Sequence, residues 1–136
     1  MASERSTWIR ETYHKGKQIG TGAMGCAWLV QRKSGQVLVA KEINVQGMSA
    51  KDTAEAVQEA EVLRQLQHPN IISMYEAFVE GPSLFIIMEF ADAGDLAQLL
   101  RNAKGKYLQE NRILDLFSQI CEGSDLWVIH ILAVSV

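Results

Sequence analysis

The sequence predicts an α+β fold in which a five-stranded antiparallel sheet carries one long helix and two shorter helices follow. Three observations predict it. Runs of β-branched and aromatic residues, separated by turns that contain glycine, fill most of residues 13–45 and 71–90. One stretch rich in helix formers, residues 52–67, separates these two groups of strands. Residues 95–102 and 109–121 then read as helices, so the order is β-β-β-α-β-β-α-α.

Length and composition restrict the class of protein. The chain has 136 residues, 48% of them hydrophobic and 21% charged, as expected for one globular domain. A net charge of −3 with no basic stripe argues against nucleic acid as a ligand. Two cysteines without metal-ligand spacing indicate reduced thiols in a cytoplasmic or nuclear protein. We expect no signal peptide, and no transmembrane segment because the apolar run 126–136 is shorter than roughly 20 residues.

The first group of strands contains the motif Gly20-Thr21-Gly22-Ala23-Met24-Gly25. A GxGxxG motif occurs both in dinucleotide-binding folds, where a helix follows it, and in protein kinases, where a strand follows it. Here residues 26–30 read as a strand, residues 33–36 as a turn, and residues 37–40 as a strand that leads into Lys41. Taken singly, the glycines fit a plain turn and Lys41 fits a solvated surface charge. Their joint spacing favours a hairpin that covers a nucleotide.

The remaining elements follow from local signals. Ser49-Ala50-Lys51-Asp52 fits a capping box at the start of the long helix. We expect Val62, Leu63 and Leu66 to form the apolar stripe of this helix, with Ala56 and Glu59 on neighbouring turns, and Pro69 to end it. Strands at 71–79 and 84–90 are joined by residues 80–83, and residues 92–94 break the chain before the last two helices.

This order and these motifs resemble the amino-terminal lobe of a eukaryotic protein kinase, over about residues 13–123. The resemblance implies ATP, with magnesium, as the ligand. It gives Lys41 the role of holding the α- and β-phosphates, paired with Glu59 of the long helix (helix C of the family). Glu59 is assigned by the run Glu59-x-x-x-Leu63-x-x-Leu66-x-His68-Pro69-Asn70-Ile71. The competitor, Glu61, lies about 200° further round the helix and is expected to face away if Glu59 faces the sheet.

The same resemblance makes the segment from Ile86 to Leu96 the hinge between two lobes. Met88 takes the gatekeeper position, the Glu89 carbonyl accepts from the adenine amino group, and the Ala91 amide donates to the ring. Asp95 matches the acidic position that reaches the ribose, although it is equally suited to cap a helix. The predicted nucleotide-binding set is Ile19, Gly20, Thr21, Gly22, Ala23, Met24, Gly25, Ala27, Val39, Lys41, Met88, Glu89, Ala91 and Asp95, in which Ile19, Ala27 and Val39 cover the purine.

Within the superfamily, the sequence most resembles the NIMA-related serine/threonine kinases. Ala27 follows the glycine loop where valine is commoner, and Val39 stands two residues before Lys41 where alanine is commoner. Residues 113–121 resemble helix E of these kinases. Met24 departs from the family, which often has an aromatic residue at the loop tip, and this should weaken packing over the phosphates.

After Gly123 the resemblance ends. None of His14, His68 and His130 precedes an arginine, and no aspartate begins Asp-Phe-Gly. The catalytic base and both magnesium ligands of the family are therefore missing, and we expect this chain alone to bind nucleotide at most. His130 reads as an ordinary residue of an apolar segment. The tail 124–136 extends the last helix, covers an open surface, or forms an aggregation-prone segment.

These observations divide the chain into an amino-terminal extension (1–12), an ATP-binding lobe (13–90), the hinge with two helices of an incomplete second lobe (91–123), and a divergent tail (124–136). By family, the function is phosphorylation of protein serine or threonine, with ATP and a protein substrate as partners. Two alternatives remain open: a non-catalytic module that pairs with a full-length kinase or scaffold, and a gene-model fragment. By resemblance the location is cytoplasmic, with the cytoskeleton, centrosome and cilium as typical sites; neither nucleic acid nor membrane is an expected partner.

Overall fold

The computed structural model describes residues 8–22 and 25–134, with side chains as far as Asp125. In this part of the chain, six strands form one antiparallel sheet in the order β1-β2-β3-β4-β6-β5. The strands are β1 Trp8–Ile9, β2 Tyr13–Gly22, β3 Gly25–Arg32, β4 Val37–Asn44, β5 Met74–Glu80 and β6 Ser83–Glu89. The helices are α1 Ala50–Leu63, α2 Leu96–Asn102 and α3 Glu110–Val134. The predicted α+β class with an antiparallel sheet is confirmed.

The chain divides into two compact units. The first comprises the sheet and α1, with the chain up to Gln65 and from Ser73 to Phe90. The second comprises residues 66–72 together with α2 and α3. The segment that follows α1 therefore belongs to a different unit from α1 itself.

The sheet has one strand more than the five predicted. Trp8 and Ile9 lie within the predicted amino-terminal extension, yet they pair with His14 and Tyr13 of β2. Ile9 is only 3% exposed, so its burial stabilises this short strand. The sequence gives no signal for the turn, because Arg10 and the next residue both have φ of 55°, a conformation for which glycine or asparagine is usual.

Two apolar cores lie on opposite faces of the sheet. The first consists of Ile9, Tyr13, Val30, Leu38, Ala40, Phe78, Phe85 and Ile87, with Trp28 and Tyr75 packed against it. The second lies between the sheet and α1, and consists of Val45, Ala60, Ala77 and Leu84 with several half-buried neighbours. Leu38 and Ala40 contribute to the first core, whereas Ile43 packs against the second, as the alternation of side chains along β4 requires.

Helix α1 begins as predicted but packs through different residues. Ser49 is the N-cap, and its hydroxyl accepts a 3.0 Å hydrogen bond from the Asp52 amide. Of the predicted apolar stripe, Leu66 is buried, whereas Val62 and Leu63 are half-buried. The residues that meet the sheet are the small ones, Ala60 with Ala56 and Val57. Small side chains let the helix lie close to the sheet, a choice that hydrophobic periodicity alone does not reveal.

In the second unit, α2 has a side-chain N-cap, and α3 is hydrogen-bonded to the segment 66–72. The Asp95 carboxylate accepts a 2.6 Å hydrogen bond from the Gln98 amide, so its role as the N-cap of α2 is confirmed. Asn70 donates to the Gln119 side chain of α3 at 3.3 Å. A Cβ on Gly123 would lie 3.1 Å from the Asn70 carbonyl oxygen, so glycine permits this close approach.

Helix α3 continues past Gly123 to Val134, and the helical alternative for the tail is the one observed. The β-branched residues of the tail do not end the helix, because extending an existing helix adds one hydrogen bond for each residue ordered. No proline interrupts the run. The side chain of His130 lies outside the described residues, as do those of its neighbours in the tail.

Candidate functional site

The β2–β3 hairpin carries the glycine motif at its tip. Gly20 pairs with Ala27, Thr21 with Cys26, and Gly22 with Gly25. Two irregularities interrupt β2, one between Lys15 and Gln18 and one between Gln18 and Gly20, each with one extra residue on β2. Ile19 is the extra residue of the second bulge and is 44% exposed. The predicted site residues Ala23 and Met24 lie outside the described residues.

The three glycines have different surroundings. At Gly25, with φ of +149°, a Cβ would overlap the carbonyl oxygen of Glu42 and lie 2.9 Å from its carbonyl carbon. At Gly20 the nearest atom would be the Ala27 Cβ at 3.6 Å, an ordinary contact, and at Gly22 no atom of the described residues lies within 4 Å. The fold therefore requires glycine at Gly25, whereas the space at Gly22 is open to a ligand that approaches the backbone.

The strand register brings several predicted site residues into one row across the sheet. Gly20 pairs with Ala27, Ala27 with Lys41, Lys41 with Ile86, and Ile86 with Ala77. Adjacent strands lie about 4.8 Å apart, and paired residues share a face of the sheet. The Lys41 side chain therefore lies on the same face as Ala27, two strands from Gly20.

A second row on the same face contains two more predicted site residues, Val39 and Met88. Val39 pairs with Leu29 on one side and with Met88 on the other, and Met88 pairs with Met74. Val39 is 8% exposed, and Met88 is half-buried. The structure thus brings Ala27, Val39, Lys41 and Met88 together on one face of the sheet.

Lys41 is exposed and is absent from the ion pairs within 4.0 Å in the described part of the chain. Its predicted partner, Glu59, is also exposed and has no such contact there. The Lys41–Glu59 pair therefore stays a prediction.

Glu61 is expected to face away from the sheet only if Glu59 faces it; in the structure Glu59 is exposed, and Glu61 contacts β5 instead. A Glu61 carboxylate oxygen accepts a 3.0 Å hydrogen bond from the Ala77 amide of β5, and its other oxygen lies 3.2 Å from Arg64 Nε. Ala60, which is buried, stands between Glu59 and Glu61, so each glutamate lies about 100° from it around the helix. Both glutamates therefore flank the packed side of α1, with Glu61 on the flank that meets β5.

The predicted hinge residues are divided between the two units. Met88 and Glu89 end β6 in the first unit, whereas Ala91 and Asp95 belong to the second. Glu89 is held twice by Ser73, because its amide donates to the Ser73 carbonyl at 2.9 Å and its carboxylate accepts from the Ser73 amide at 3.1 Å. The hydrogen-bonding roles predicted for Glu89 and Ala91 toward adenine, and that of Asp95 toward ribose, stay predictions.

Neither a metal cluster nor a membrane-spanning helix is found in the part of the chain that the structure describes. Among those residues, no three His, Cys, Asp or Glu side chains come together as metal ligands. Over the same residues, no helix combines the length and the apolar character that crossing a bilayer demands.

Comparison of the sequence with known proteins identifies a matching family. The model of the protein kinase domain family matches residues 13–134. The probable serine/threonine-protein kinase nek3 of Dictyostelium discoideum is 44% identical over 116 residues, 83% of this chain and 10% of its own length. Serine/threonine-protein kinase Nek1 of Mus musculus is 42% identical over 112 residues, 82% of this chain and 9% of its own length. For Nek8 of Danio rerio the identity is 41% over 111 residues, 81% of this chain and 16% of the relative.

The chain thus spans only 9–16% of the length of these three relatives, although they cover most of it. The family match includes residues 124–134, which we expected to lie beyond the resemblance. Because the match covers most of the chain, and the relatives are all serine/threonine kinases of one group, the chain belongs to the protein kinase domain family, within its NIMA-related serine/threonine kinases.

Proposed function

We propose that this chain is the ATP-binding portion of a serine/threonine protein kinase. The observation that carries the proposal is the row across the sheet, which sets the glycine hairpin, Ala27 and Lys41 on one face. Family membership supports ATP as the nucleotide, and a cytoplasmic location is part of the same proposal.

The residues of the hairpin fit a polyphosphate. Backbone amides can approach phosphate oxygens closely where a Cβ is absent, and Gly22 has open space where its Cβ would be. An exposed lysine without an ion pair is available to a phosphate, and Lys41 is such a residue among those described. In the proposed complex Lys41 contacts the α- and β-phosphates, Glu59 orients it, and Ala27 and Val39 lie over the purine.

Phosphoryl transfer is assigned to the complete protein. Residues 1–136 contain neither His-Arg-Asp nor Asp-Phe-Gly, so this stretch supplies no catalytic base and neither of the family's magnesium ligands. We therefore propose that residues 1–136 by themselves bind nucleotide without transferring phosphate. The complete protein is proposed to phosphorylate serine or threonine of a protein substrate, as the names of its relatives indicate.

A thermal-shift experiment tests the proposed nucleotide site. A ligand at about 100 times its Kd stabilises the folded state by about 2.7 kcal/mol. We expect Mg-ATP to raise the Tm of the purified chain, and Lys41→Met to abolish most of this rise. Lys51→Met is the matched control, because Lys51 is an equally long side chain on α1 with 83% of its surface exposed.

The outcomes separate the alternatives. A rise in Tm that both lysine variants retain would refute the assigned role of Lys41. The absence of any rise would refute nucleotide binding and favour the interaction module. Magnesium-dependent transfer of phosphate from ATP to a protein substrate by residues 1–136 alone would refute the assignment of transfer to the complete protein.

A further inference from the structure

Glu42 stands directly after Lys41 in β4, so its side chain lies on the opposite face of the sheet. There it accepts three hydrogen bonds from side chains. Lys15 Nζ and Trp28 Nε1 donate to one carboxylate oxygen at 3.0 and 2.8 Å, and Ser83 Oγ donates to the other at 3.1 Å. The donors belong to β2, β3 and β6, so one carboxylate on β4 joins four strands.

Two features stabilise the hydrogen bond that Lys15 donates to Glu42: a contact with an aromatic ring and partial burial. Its ammonium also lies 4.0 Å from the centroid of the Trp28 ring, the same side chain that donates to Glu42. The side chains of Lys15 and Glu42 are only 23% and 26% exposed. A partly buried, charge-assisted bond is screened less by solvent than a surface ion pair and holds its geometry better.

The hydrogen bonds of Glu42 to Lys15 and Trp28 lie where the backbone hydrogen bonding between β2 and β3 is irregular. Both bulges of β2 lie between Lys15 and Gly20, and each interrupts the regular pairing of β2 with β3. At the other end of the hairpin, Gly25 packs directly on the Glu42 carbonyl group. Glu42 therefore contacts the hairpin twice, through its side chain at the base and through its backbone beside the glycines.

We propose that Glu42 is a positioning residue for the nucleotide site, holding the β2–β3 hairpin on β4 so that the glycines keep a fixed distance from the Lys41 ammonium. The proposal rests on the nucleotide site proposed above, and it assigns no contact between Glu42 and the nucleotide. Phosphates need the glycine amides and Lys41 at the same time, whereas the purine and ribose do not. A loosened hairpin should therefore weaken the phosphate-dependent part of the affinity.

The test compares Glu42→Gln with Glu76→Gln. Glu76 is a matched control, because it is a β5 carboxylate with a 30% exposed side chain that accepts hydrogen bonds from Arg10 and Tyr13 on the same face of the sheet. Tyr13 is the first residue of β2, so Glu76 contacts the hairpin only ahead of both bulges and does not contact its glycine tip. Two properties are measured for each variant: hydrogen exchange in hairpin peptides within residues 15–29, which Glu42 contacts and Glu76 does not, relative to β5–β6, and the ratio of the Kd for adenosine to the Kd for Mg-ATP.

For Glu42→Gln we expect hairpin exchange to become roughly tenfold faster relative to β5–β6, and the preference for ATP over adenosine to fall by roughly tenfold. Glu76→Gln should lower the Tm while leaving the adenosine-to-ATP ratio and the relative hairpin exchange unchanged. If Glu42→Gln does not fold, Lys15→Met removes the bond between β2 and Glu42 and the contact of Lys15 with the Trp28 ring, leaves the Trp28 and Ser83 bonds to Glu42, and should give the same two changes.

Equal behaviour of the two glutamine variants would overturn the proposal and leave Glu42 a general contributor to stability. Failure of the unaltered protein to bind ATP would instead refute the proposed nucleotide site. In that case, the exchange measurement still decides whether Glu42 holds the hairpin on β4.

Discussion

At the scale of single residues, the glycines of the hairpin show that one motif serves two purposes. Gly25 lies against the backbone of Glu42 in a conformation with φ of +149°, so the fold itself requires the absence of a side chain. Among the residues that the structure describes, Gly22 has no neighbour within 4 Å of the position of a Cβ. The sequence motif assigns the same role to all three glycines. Their different roles become visible only from the position of the neighbouring strand β4.

We expect Gly25→Ala to lower the free energy of unfolding by about 1–3 kcal/mol or more, because the added methyl group overlaps the β4 backbone, which cannot move aside like a side chain. Gly22→Ala is the control and should stay within about 0.5 kcal/mol of the unaltered protein. Urea unfolding followed by tryptophan fluorescence measures both. Equal losses in the two variants would show that Gly25 is not packed as described.

Glu42 should also contribute to the pH dependence of stability. Burial raises the pKa of Glu42, but the hydrogen bonds and positive charge of Lys15, together with the Ser83 and Trp28 bonds, outweigh burial and hold this pKa below its ordinary value of 4.5. A pKa lower in the folded than in the unfolded state gives stability that is present above about pH 4.5 and is lost as pH falls through the folded pKa.

We therefore expect the stability difference between the unaltered protein and Glu42→Gln to shrink as pH falls from 6 toward 3, since the neutral glutamine does not titrate. Urea unfolding at several pH values measures this difference. A Glu42→Gln difference that stays constant or grows on acidification would contradict the assigned pKa direction.

At the scale of elements, the sequence predicts best what depends on local chemistry. Ser49 and Asp95 cap their helices as predicted, because an N-cap is a contact between residues three apart in the chain. Periodicity does not identify the residues of α1 that pack on the sheet, since this depends on which small residues fit against a distant strand. Ala60 and its neighbours make that contact, while larger apolar residues of the helix are only half-buried.

Glu61 has a role at the sheet edge that periodicity does not predict. Strand β5 is the last strand of the sheet, so one side of its backbone has no partner strand. The Glu61 carboxylate accepts the hydrogen bond of the Ala77 amide at this edge. A side chain of α1 thus satisfies a backbone group that would otherwise be open to pairing with another chain.

We expect Glu61→Ala to lower the free energy of unfolding by about 1–3 kcal/mol, because a partly buried amide loses a charged acceptor. Glu59 lies two residues earlier on α1 and is exposed, so Glu59→Ala should change the free energy of unfolding by less than about 0.5 kcal/mol. The same variants should respond in the opposite order to Mg-ATP, with Glu59→Ala losing more of the Tm rise. A larger loss of stability in Glu59→Ala would contradict the orientation described for α1.

At the scale of the whole molecule, the sequence predicts the fold class and the order of the elements, and it places a boundary after residue 90, where the two units also divide. It does not predict the unit to which residues 66–72 belong. Residues 66–72 follow α1 directly, yet they belong with α2 and α3. Strand β1 was missed because its turn lacks glycine, and the continuation of α3 was one of several alternatives because its residues favour strands. The assignment of residues 66–72 depends on contacts between segments far apart in the sequence, such as the hydrogen bond between Asn70 and Gln119 of α3.

The burial of side chains implies unequal local stability in the two units. Among the described residues, every buried apolar side chain except Leu66 belongs to the first unit. Several large apolar side chains of α2 and α3 are about half exposed or more: Leu96, Leu100, Ile113, Leu114, Phe117 and Ile120. Elements with few buried apolar contacts open with smaller free energies than core strands.

We therefore expect native-state hydrogen exchange to be slowest in β3, β4 and β6 and at least about tenfold faster in α2 and α3, a difference of about 1.4 kcal/mol in opening free energy. Ile87→Ala, at a side chain that is 0% exposed, should accelerate exchange throughout the sheet. Phe117→Ala, at a side chain that is 64% exposed, should leave sheet exchange unchanged. Exchange in α3 as slow as in β4 would show that the second unit is stabilised by contacts other than its own buried side chains.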